Sequence, residues 1–255
     1  EDVTRGGTTY SFSTLNACGM ADAVDSLSAI REVVFERKLL TLSELAKILQ
    51  DDFQGNEPLR LLLSNLKGRY GNGDVKTDSI MKELCDLFCD LGRNTTNPFG
   101  RHFQIGLYTV SSHANMGAKT GALPTGRHKG VSLANALSPC QGADRLGPTA
   151  VIRSITQVNH AVCGNGMVLD LKFNPAFLKK PSHRKGVREL IQTYYENGGM
   201  EVQFNVVSRE TLLAAKADPQ KYRNLIVRVS GFSAYFFHLD PVLQDEIIAR
   251  TEYAG

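Results

Sequence analysis

Hydrophobic residues recur at helical spacing along the first third of the chain, with polar residues between them. The predicted helices cover residues 22–38, 41–53, 56–70 and 77–91. On the first helix the apolar positions that we expect to be buried are Val24, Leu27, Ile30, Val34 and Phe35. On the fourth helix the corresponding face carries Met81, Leu84, Phe88 and Leu91. The pattern predicts a helical layer, and Thr41 with Glu44 predicts a capping box at the start of its second helix.

Beyond residue 94 the pattern changes to strands that alternate with helices. The predicted strands cover residues 102–111, 167–173, 201–207 and 225–229. The predicted helices cover residues 149–158, 185–196 and 209–217, followed by a last helix that Asp240 caps and that reaches about Glu252. Alternation at these lengths predicts an α/β fold with parallel strands. Residues 112–148 show no period, so we expect a long loop whose many glycines approach other groups closely.

Composition and charge exclude several classes of protein. Hydrophobic residues make up 42% of the 255 positions and charged residues 22%, which is ordinary globular usage and excludes a disordered chain. No apolar run reaches the ~18 residues of a membrane-spanning helix. The formal net charge of +3 is too small for a dedicated nucleic-acid-binding protein. We therefore expect neither a membrane nor a nucleic-acid partner.

The beginning of the sequence resembles neither a signal peptide nor a free terminus. It has no basic region followed by an apolar one, and ordered-looking sequence starts almost at once. We therefore expect a chain that begins inside a larger fold.

Familiar hydrolytic and metal-binding motifs are not found in the sequence. The five cysteines form no CxxC pair, and we interpret them as small buried hydrophobic residues of a reducing compartment. Cys85 and Cys89 are helical neighbours, but two ligands do not make a zinc site. The six histidines give neither HExxH nor HxH, and no GxSxG elbow is present. We predict no metal site in this chain.

Two further segments have simple interpretations. Residues 121–128 read GALPTGRH, which is close to the phosphate-binding loop pattern. Arg127 and His128 replace its lysine and its Ser/Thr, however, and Pro124 removes one backbone amide, so nucleotide binding is disfavoured. The basic run over residues 179–185 is interpreted as solvated charge between a strand and a helix.

The most unusual segment surrounds Gly231. Residues 225–236 read LIVRVSGFSAYF, so an apolar strand enters Ser230 and Gly231 and a second apolar stretch leaves them. Two interpretations follow from the residues alone. The glycine is either the positive-φ position of a buried tight turn or a loop tip whose flanks keep it away from water for a chemical reason.

Four segments, in order along the chain, resemble the glycyl radical enzyme family. They read GMADAVDSL (19–27), GALPTGR (121–127), GADRLGPTAV (142–151), and RVSGFSAYF (228–236) with LQDEIIART (243–251). The resemblance covers the whole chain, and the last segment is similar to the C-terminal signature of the family. The end of the chain is more similar to the diol dehydratase, choline lyase and hydroxyproline dehydratase branch than to pyruvate formate-lyase.

The resemblance implies the fold and the candidate site. It implies the C-terminal portion of a ten-stranded α/β barrel with surrounding helices. Residues 1–112 would form a helical layer and half-barrel segment, residues 113–207 the continuing half-barrel with its glycine-rich loop, and residues 208–255 the glycyl radical domain. Gly231 would store the radical in a buried position shielded from oxygen and water, with Arg228, Ser230 and Phe232 supporting its loop.

The resemblance also implies partners outside this chain. The catalytic cysteine of the family follows a glycine in a short motif that none of the five cysteines matches, so it would lie in the N-terminal remainder of the enzyme. A radical S-adenosylmethionine activating enzyme would install the radical with S-adenosylmethionine and an iron–sulfur cluster, and this chain itself would bind no cofactor. The whole enzyme would be a homodimer in the cytoplasm of an organism under anaerobic conditions.

The implied function is radical catalysis on a small molecule. The Gly231 radical would take hydrogen from the cysteine, and the resulting thiyl radical would take hydrogen from the substrate, leading to dehydration or cleavage of a C–X or C–C bond. The alternative is a non-catalytic spare-part subunit that restores a damaged partner. The long α/β portion before the signature argues against that alternative.

Overall fold

The computed structural model describes residues 1–253, and its first third is a helical layer. The four helices of this layer are α1 (Met20–Ile30), α2 (Leu42–Gln50), α3 (Glu57–Ser64) and α4 (Val75–Asn94). The Thr41 hydroxyl accepts a hydrogen bond from the Glu44 amide at 3.2 Å, and the Glu44 carboxylate accepts one from the Thr41 amide at 2.7 Å. The capping box is therefore confirmed.

The buried face of α1 differs from the predicted stripe. The helix continues into a π-helical segment over Arg31–Glu36, which changes the angular spacing of the side chains and leaves Phe35 60% exposed. Leu27 is 45% exposed because α1 buries a face that carries Asp25 and Ser28. Apolar spacing alone failed here because the buried face contains polar side chains with partners.

The buried face of α4 was also partly wrong. Its fully buried row runs through Met81, Cys85 and Cys89, each four residues from the last. Leu91 falls outside this row and is 56% exposed. The cysteines of this helix therefore act as core residues, as expected for buried thiols.

Most strands of the chain pair in parallel. The strands are β1 (Thr14–Asn16), β2 (Gln104–Gly106), β3 (Val168–Phe173), β4 (Glu201–Val206), β5 (Ile226–Arg228), β6 (Ser233–Tyr235) and β7 (Glu252–Tyr253). β1 pairs with β2, and β3 lies between β4 and β7, all in parallel. A parallel bridge between Leu107 and Met167 connects the end of β2 to the start of β3. The α/β arrangement with parallel strands is therefore confirmed.

The remaining helices lie between these strands. They are α5 (Ser112–Lys119), α6 (Pro148–Ile155), α7 (Pro181–Glu196), α8 (Arg209–Ala217) and α9 (Pro241–Ala249). The last helix ends three residues before the predicted boundary at Glu252, because Glu252 and Tyr253 pair with β3 as β7. Among residues 1–253 no helix is both long and apolar enough to cross a membrane.

The segment over residues 112–148 is not the unstructured loop that the sequence predicted. It begins with α5, whose Gly117 packs directly against the backbone of residues 131–133 where a Cβ has no room. Leu133, Ala134 and Leu137 are buried, and the Leu137 amide donates to the Val168 carbonyl of β3 at 3.1 Å. Residues 132–140 are all buried, so this part of the segment is an irregular core element rather than a surface loop.

The final part of the chain is an antiparallel hairpin packed against two helices. In β5 and β6, Val227 pairs with Ala234 and Arg228 with Ser233, so the connection falls on Ser230 and Gly231. Apolar residues from the hairpin, α8 and α9 form one cluster that includes Val229, Phe236, Leu212 and Ile247. The hairpin therefore packs on an apolar cluster formed with α8 and α9. The predicted domain boundaries at residues 112 and 207 stay predictions.

Candidate active site

Gly231 stands at the tip of the β5–β6 hairpin in a backbone conformation that favours glycine. Its φ is +87°, in the left-handed region where a side chain is strained. A Cβ at this position would meet no other atom within 4 Å, so the requirement is conformational rather than one of space. The Val229 amide donates to the Phe232 carbonyl at 2.9 Å and closes the turn below the glycine.

The shielding of Gly231 was expected for the whole enzyme, and that expectation stays a prediction. Val229 and Ser230 are fully buried, but Gly231 itself is exposed. The apolar flanks pack downward into the cluster between α8 and α9, which leaves the tip as the part of the loop that projects. Within residues 1–253 the α-carbon of Gly231 is therefore accessible from outside.

The three residues expected to support the loop lie in the hairpin itself, and their side chains contact groups around it. They are Arg228, Ser230 and Phe232. Arg228 Nε donates to Gln203 Oε1 on β4 at 3.2 Å, and its Nη1 donates to Ser233 Oγ at 3.0 Å. The buried Ser230 hydroxyl accepts from the Thr109 amide at 3.5 Å, and Phe232 packs against the apolar cluster. Their support of the loop is consistent with these positions and stays a prediction.

An asparagine that sequence reasoning missed fixes the strand that enters the loop. Asn205 on β4 donates from Nδ2 to the Arg228 carbonyl at 2.8 Å and accepts from the Arg228 amide at Oδ1 at 2.8 Å. The Asn205 side chain therefore forms hydrogen bonds with both the N–H and the C=O of Arg228, as the backbone of a neighbouring strand would. This pairing extends the parallel sheet to the hairpin through a single buried side chain.

A buried arginine from the end of α9 holds the next backbone group. Arg250 Nη2 donates to the Val229 carbonyl at 2.7 Å, and the same carbonyl accepts from Asn135 Nδ2 at 3.1 Å. The guanidinium forms two further bonds of 2.9 Å with Glu246, from Nε to Oε1 and from Nη2 to Oε2. The resemblance quoted the segment that contains Arg250, but nothing in its pattern indicated this contact.

Further polar groups complete a connected network beneath the loop. Asp170 on β3 accepts from Asn135 Nδ2 at 2.8 Å and lies 3.7 Å from Arg250. Thr109 donates to Asn135 Oδ1 at 2.6 Å and lies 3.0 Å from His113 Nδ1. His113 Nε2 lies 3.4 Å from Glu246 Oε2. We call these seven residues the loop network: Thr109, His113, Asn135, Asp170, Asn205, Glu246 and Arg250.

Burial and charge act in opposite directions on the two carboxyl groups of the loop network. Burial raises the pKa of Asp170 to about 7, because Arg250 at 3.7 Å offsets only part of the desolvation. Burial also opposes ionisation of Glu246, but the Arg250 charge and the hydrogen bond with His113 outweigh it and lower that pKa to about 2. The network thus contains one firm ion pair and one carboxyl group that titrates near neutral pH.

The phosphate-loop-like segment closes on itself. Arg127 Nη1 donates to the Gly121 carbonyl at 2.8 Å, and its Nη2 donates to the Gly117 carbonyl at 2.9 Å. Gly126 packs against the backbone of α3, where a Cβ would collide. The Arg127 guanidinium is therefore bonded to backbone carbonyls of its own segment. This supports the interpretation that the loop does not bind a nucleotide.

Comparison with known protein families gives two matches along the chain. The family described as pyruvate formate lyase-like matches residues 1–117, and the family described as glycine radical matches residues 133–237. The second match contains Gly231 and three of the seven residues of the loop network, Asn135, Asp170 and Asn205. The chain belongs to the glycyl radical enzymes.

Individual relatives agree with this assignment. The chain is 38% identical to a probable dehydratase, YbiW, of Escherichia coli, and 34% identical to trans-4-hydroxy-L-proline dehydratase of Clostridioides difficile, over 99% of this chain in both cases. It superimposes on the glycerol-bound B12-independent glycerol dehydratase of Clostridium butyricum with a TM-score of 0.95 at 40% identity, over 100% of this chain. The chain spans about a third of each of these proteins, at 32% of their length. The predicted fold, part of a glycyl radical enzyme barrel, is confirmed.

Proposed function

We propose that this chain stores the catalytic radical of a glycyl radical enzyme on the α-carbon of Gly231. The observation that carries the proposal is the fixed hairpin inside the family match, with a glycine at φ +87° at its tip and with the Arg228 and Val229 carbonyls that lead into the tip held by the side chains of Asn205 and Arg250. A glycine radical has no side chain to force it out of the peptide plane. The adjacent amide nitrogen and carbonyl then delocalise the unpaired electron.

The proposed transfer has a simple balance. The Gly231 radical takes a hydrogen atom from the thiol of a cysteine in the N-terminal remainder of the enzyme, which restores glycine and leaves a thiyl radical. The thiyl radical takes a hydrogen atom from a small-molecule substrate, and the substrate radical loses water. The product radical then takes a hydrogen atom back from the cysteine, and the cysteine takes one from Gly231, which restores the stored radical. The relatives named as dehydratases support dehydration as the reaction class. We also propose that the whole enzyme is a homodimer.

The proposal requires a separate activating enzyme. Its S-adenosylmethionine and iron–sulfur cluster would remove one hydrogen atom from the α-carbon of Gly231. Because oxygen destroys carbon radicals, we propose an anaerobic cytoplasm as the setting. The spare-part alternative has no need of the parallel strands and helical layer that the chain carries.

Electron paramagnetic resonance of the activated enzyme tests the proposal. We expect a doublet from the one remaining α-hydrogen, which collapses when the protein contains deuterated glycine. Gly231→Ala is expected to abolish the signal. Gly198→Ala is the matched control, because Gly198 also has a positive φ, +86°, and an equally open Cβ position. A signal that survives Gly231→Ala would refute the assignment.

A further inference from the structure

Two buried cysteines far apart in the sequence meet beneath the surface, outside the loop network. Cys89 Sγ on α4 and Cys163 Sγ, at the end of a 3₁₀ turn over His160–Val162, are 3.0 Å apart. Both are free thiols, 1% and 0% exposed. The sequence interpretation treated them as separate hydrophobic residues, since nothing in the sequence brings positions 74 residues apart together.

The geometry favours sulfur–sulfur chemistry over a metal site. Two thiolates bound to one zinc ion at ~2.3 Å in tetrahedral geometry would lie about 3.8 Å apart. The observed separation is shorter than that, and no group of three metal-binding side chains occurs among residues 1–253. A disulfide needs ~2.05 Å, so the two sulfurs must approach by about 1 Å, which a change of side-chain torsion on a loop residue can supply.

The two thiols are not equivalent. The hydrogen bond with Cys163 lowers the pKa of Cys89, with help from Arg93 on the same helix. The same hydrogen bond, together with burial, raises the pKa of Cys163. Cys89 is thus the thiol that ionises first and attacks an oxidant, and Cys163 is placed to react with the product.

The turn that carries Cys163 has exposed residues on both sides of the buried thiol. These residues are Ala161 and Gly164, whereas Cys163 itself is 0% exposed. The residues that follow it pair with β2, through bonds from the Asn165 amide to the Ile105 carbonyl and from the Leu107 amide to the Gly166 carbonyl. A bond between the two sulfurs would therefore tie α4 to the segment that connects β2 with β3.

We propose that Cys89 and Cys163 form an oxidation site, which hydrogen peroxide converts to a disulfide. The Cys89 thiolate attacks one peroxide oxygen, the O–O bond breaks, and sulfenic acid and water form. The Cys163 sulfur then attacks the Cys89 sulfur, the S–O bond breaks, and a second water leaves with the proton. The two thiols lose two electrons and two hydrogens, and the peroxide is reduced to two waters.

Peptide mapping of the peroxide-treated protein tests the proposal. After denaturation and alkylation, we expect a linked peptide pair containing residues 89 and 163, two hydrogens lighter, and three alkylated cysteines instead of five. Dithiothreitol should restore all five. The link should form at least ten times faster than any other cysteine pair, because the other thiols have no sulfur of a second cysteine in contact.

Matched variants and an internal reference make the outcome decisive. Cys89→Ser should remove the link, whereas Cys85→Ser should keep it, because Cys85 is equally buried on the same helix but contacts the Met81 sulfur at 3.7 Å. Met116 is 51% exposed and reports the peroxide dose as its sulfoxide. Five alkylated cysteines at a dose that oxidises Met116, or a link between other cysteines, would overturn the proposal.

Discussion

Removal of the Arg250 guanidinium should loosen the β5–β6 hairpin that carries Gly231. Arg250→Met keeps much of the side-chain volume but removes the donors to the Val229 carbonyl and the charge that neutralises Glu246. Breaking a buried ion pair by removing one partner costs about 3–5 kcal/mol, because the other charge stays buried without compensation. The Val229 carbonyl keeps its bond from Asn135, so we expect the lower end of that range, about 3 kcal/mol.

Native-state hydrogen exchange at the hairpin measures this effect locally. The relevant probe is the Val229 amide, which is bonded to the Phe232 carbonyl across the turn. A loss of about 3 kcal/mol in the free energy of opening corresponds to exchange that is roughly 100-fold faster. Because the measurement concerns one local opening, it does not require the whole protein to unfold in one step.

Two controls separate the buried ion pair from a generic loss of charge. Arg93→Met removes an arginine whose ion pair with Asp90 is exposed on both sides, so it should change hairpin exchange by less than about 1 kcal/mol in opening free energy. Combining Arg250→Met with Glu246→Gln should recover part of the loss, since no buried charge is then left alone. Equal exchange rates in Arg250→Met and Arg93→Met would refute the role assigned to the loop network.

Three further predictions concern the same region and its supports. The pKa of Asp170 is raised to about 7 in the folded state, so the native protein binds this proton more tightly than the unfolded chain, and the free energy of unfolding should decline as pH rises from about 4 to about 7. In urea unfolding curves, Asp170→Asn should make this decline smaller. An unchanged dependence of the unfolding free energy on pH would contradict the raised pKa of Asp170. Asn205→Leu leaves the Arg228 amide without its partner and the Arg228 carbonyl with only the 3.4 Å bond from Arg250, and should cost about 1–3 kcal/mol in hairpin opening. Asn94→Leu, at an exposed position at the end of α4, should cause no change in hairpin opening. Thr41→Ala should cost about 1 kcal/mol at α2 alone, read as faster exchange of the Glu44 amide with hairpin exchange unaltered.

Local sequence signals predicted the elements that depend on neighbouring residues. The helix over residues 209–217 was predicted with the observed bounds, and the Thr41 capping box was found because both of its partners lie within one turn. The turn at Gly231 followed from two apolar runs on either side of one glycine, although the pairing of those runs as a hairpin was not predicted. These features need no information from distant parts of the chain.

Features that depend on distant partners were missed. Asn135 and the Val229 carbonyl are 94 positions apart, and the two sulfurs of Cys89 and Cys163 are 74 apart. Nothing in a periodic pattern marks a polar residue whose partner arrives from another element. Helix α5 was missed for a related reason, since its Gly117 is required by a close backbone contact with residues 131–133 rather than by a turn.

The most direct test of the central claim is the mass of the activated enzyme after exposure to oxygen. A radical on the α-carbon of Gly231 reacts with oxygen, and the backbone should then break at that residue, giving two fragments whose junction mass spectrometry places at Gly231. Gly231→Ala protein treated in the same way should stay whole. An intact chain from a sample that carried the radical before exposure, or a break at another residue, would contradict the account.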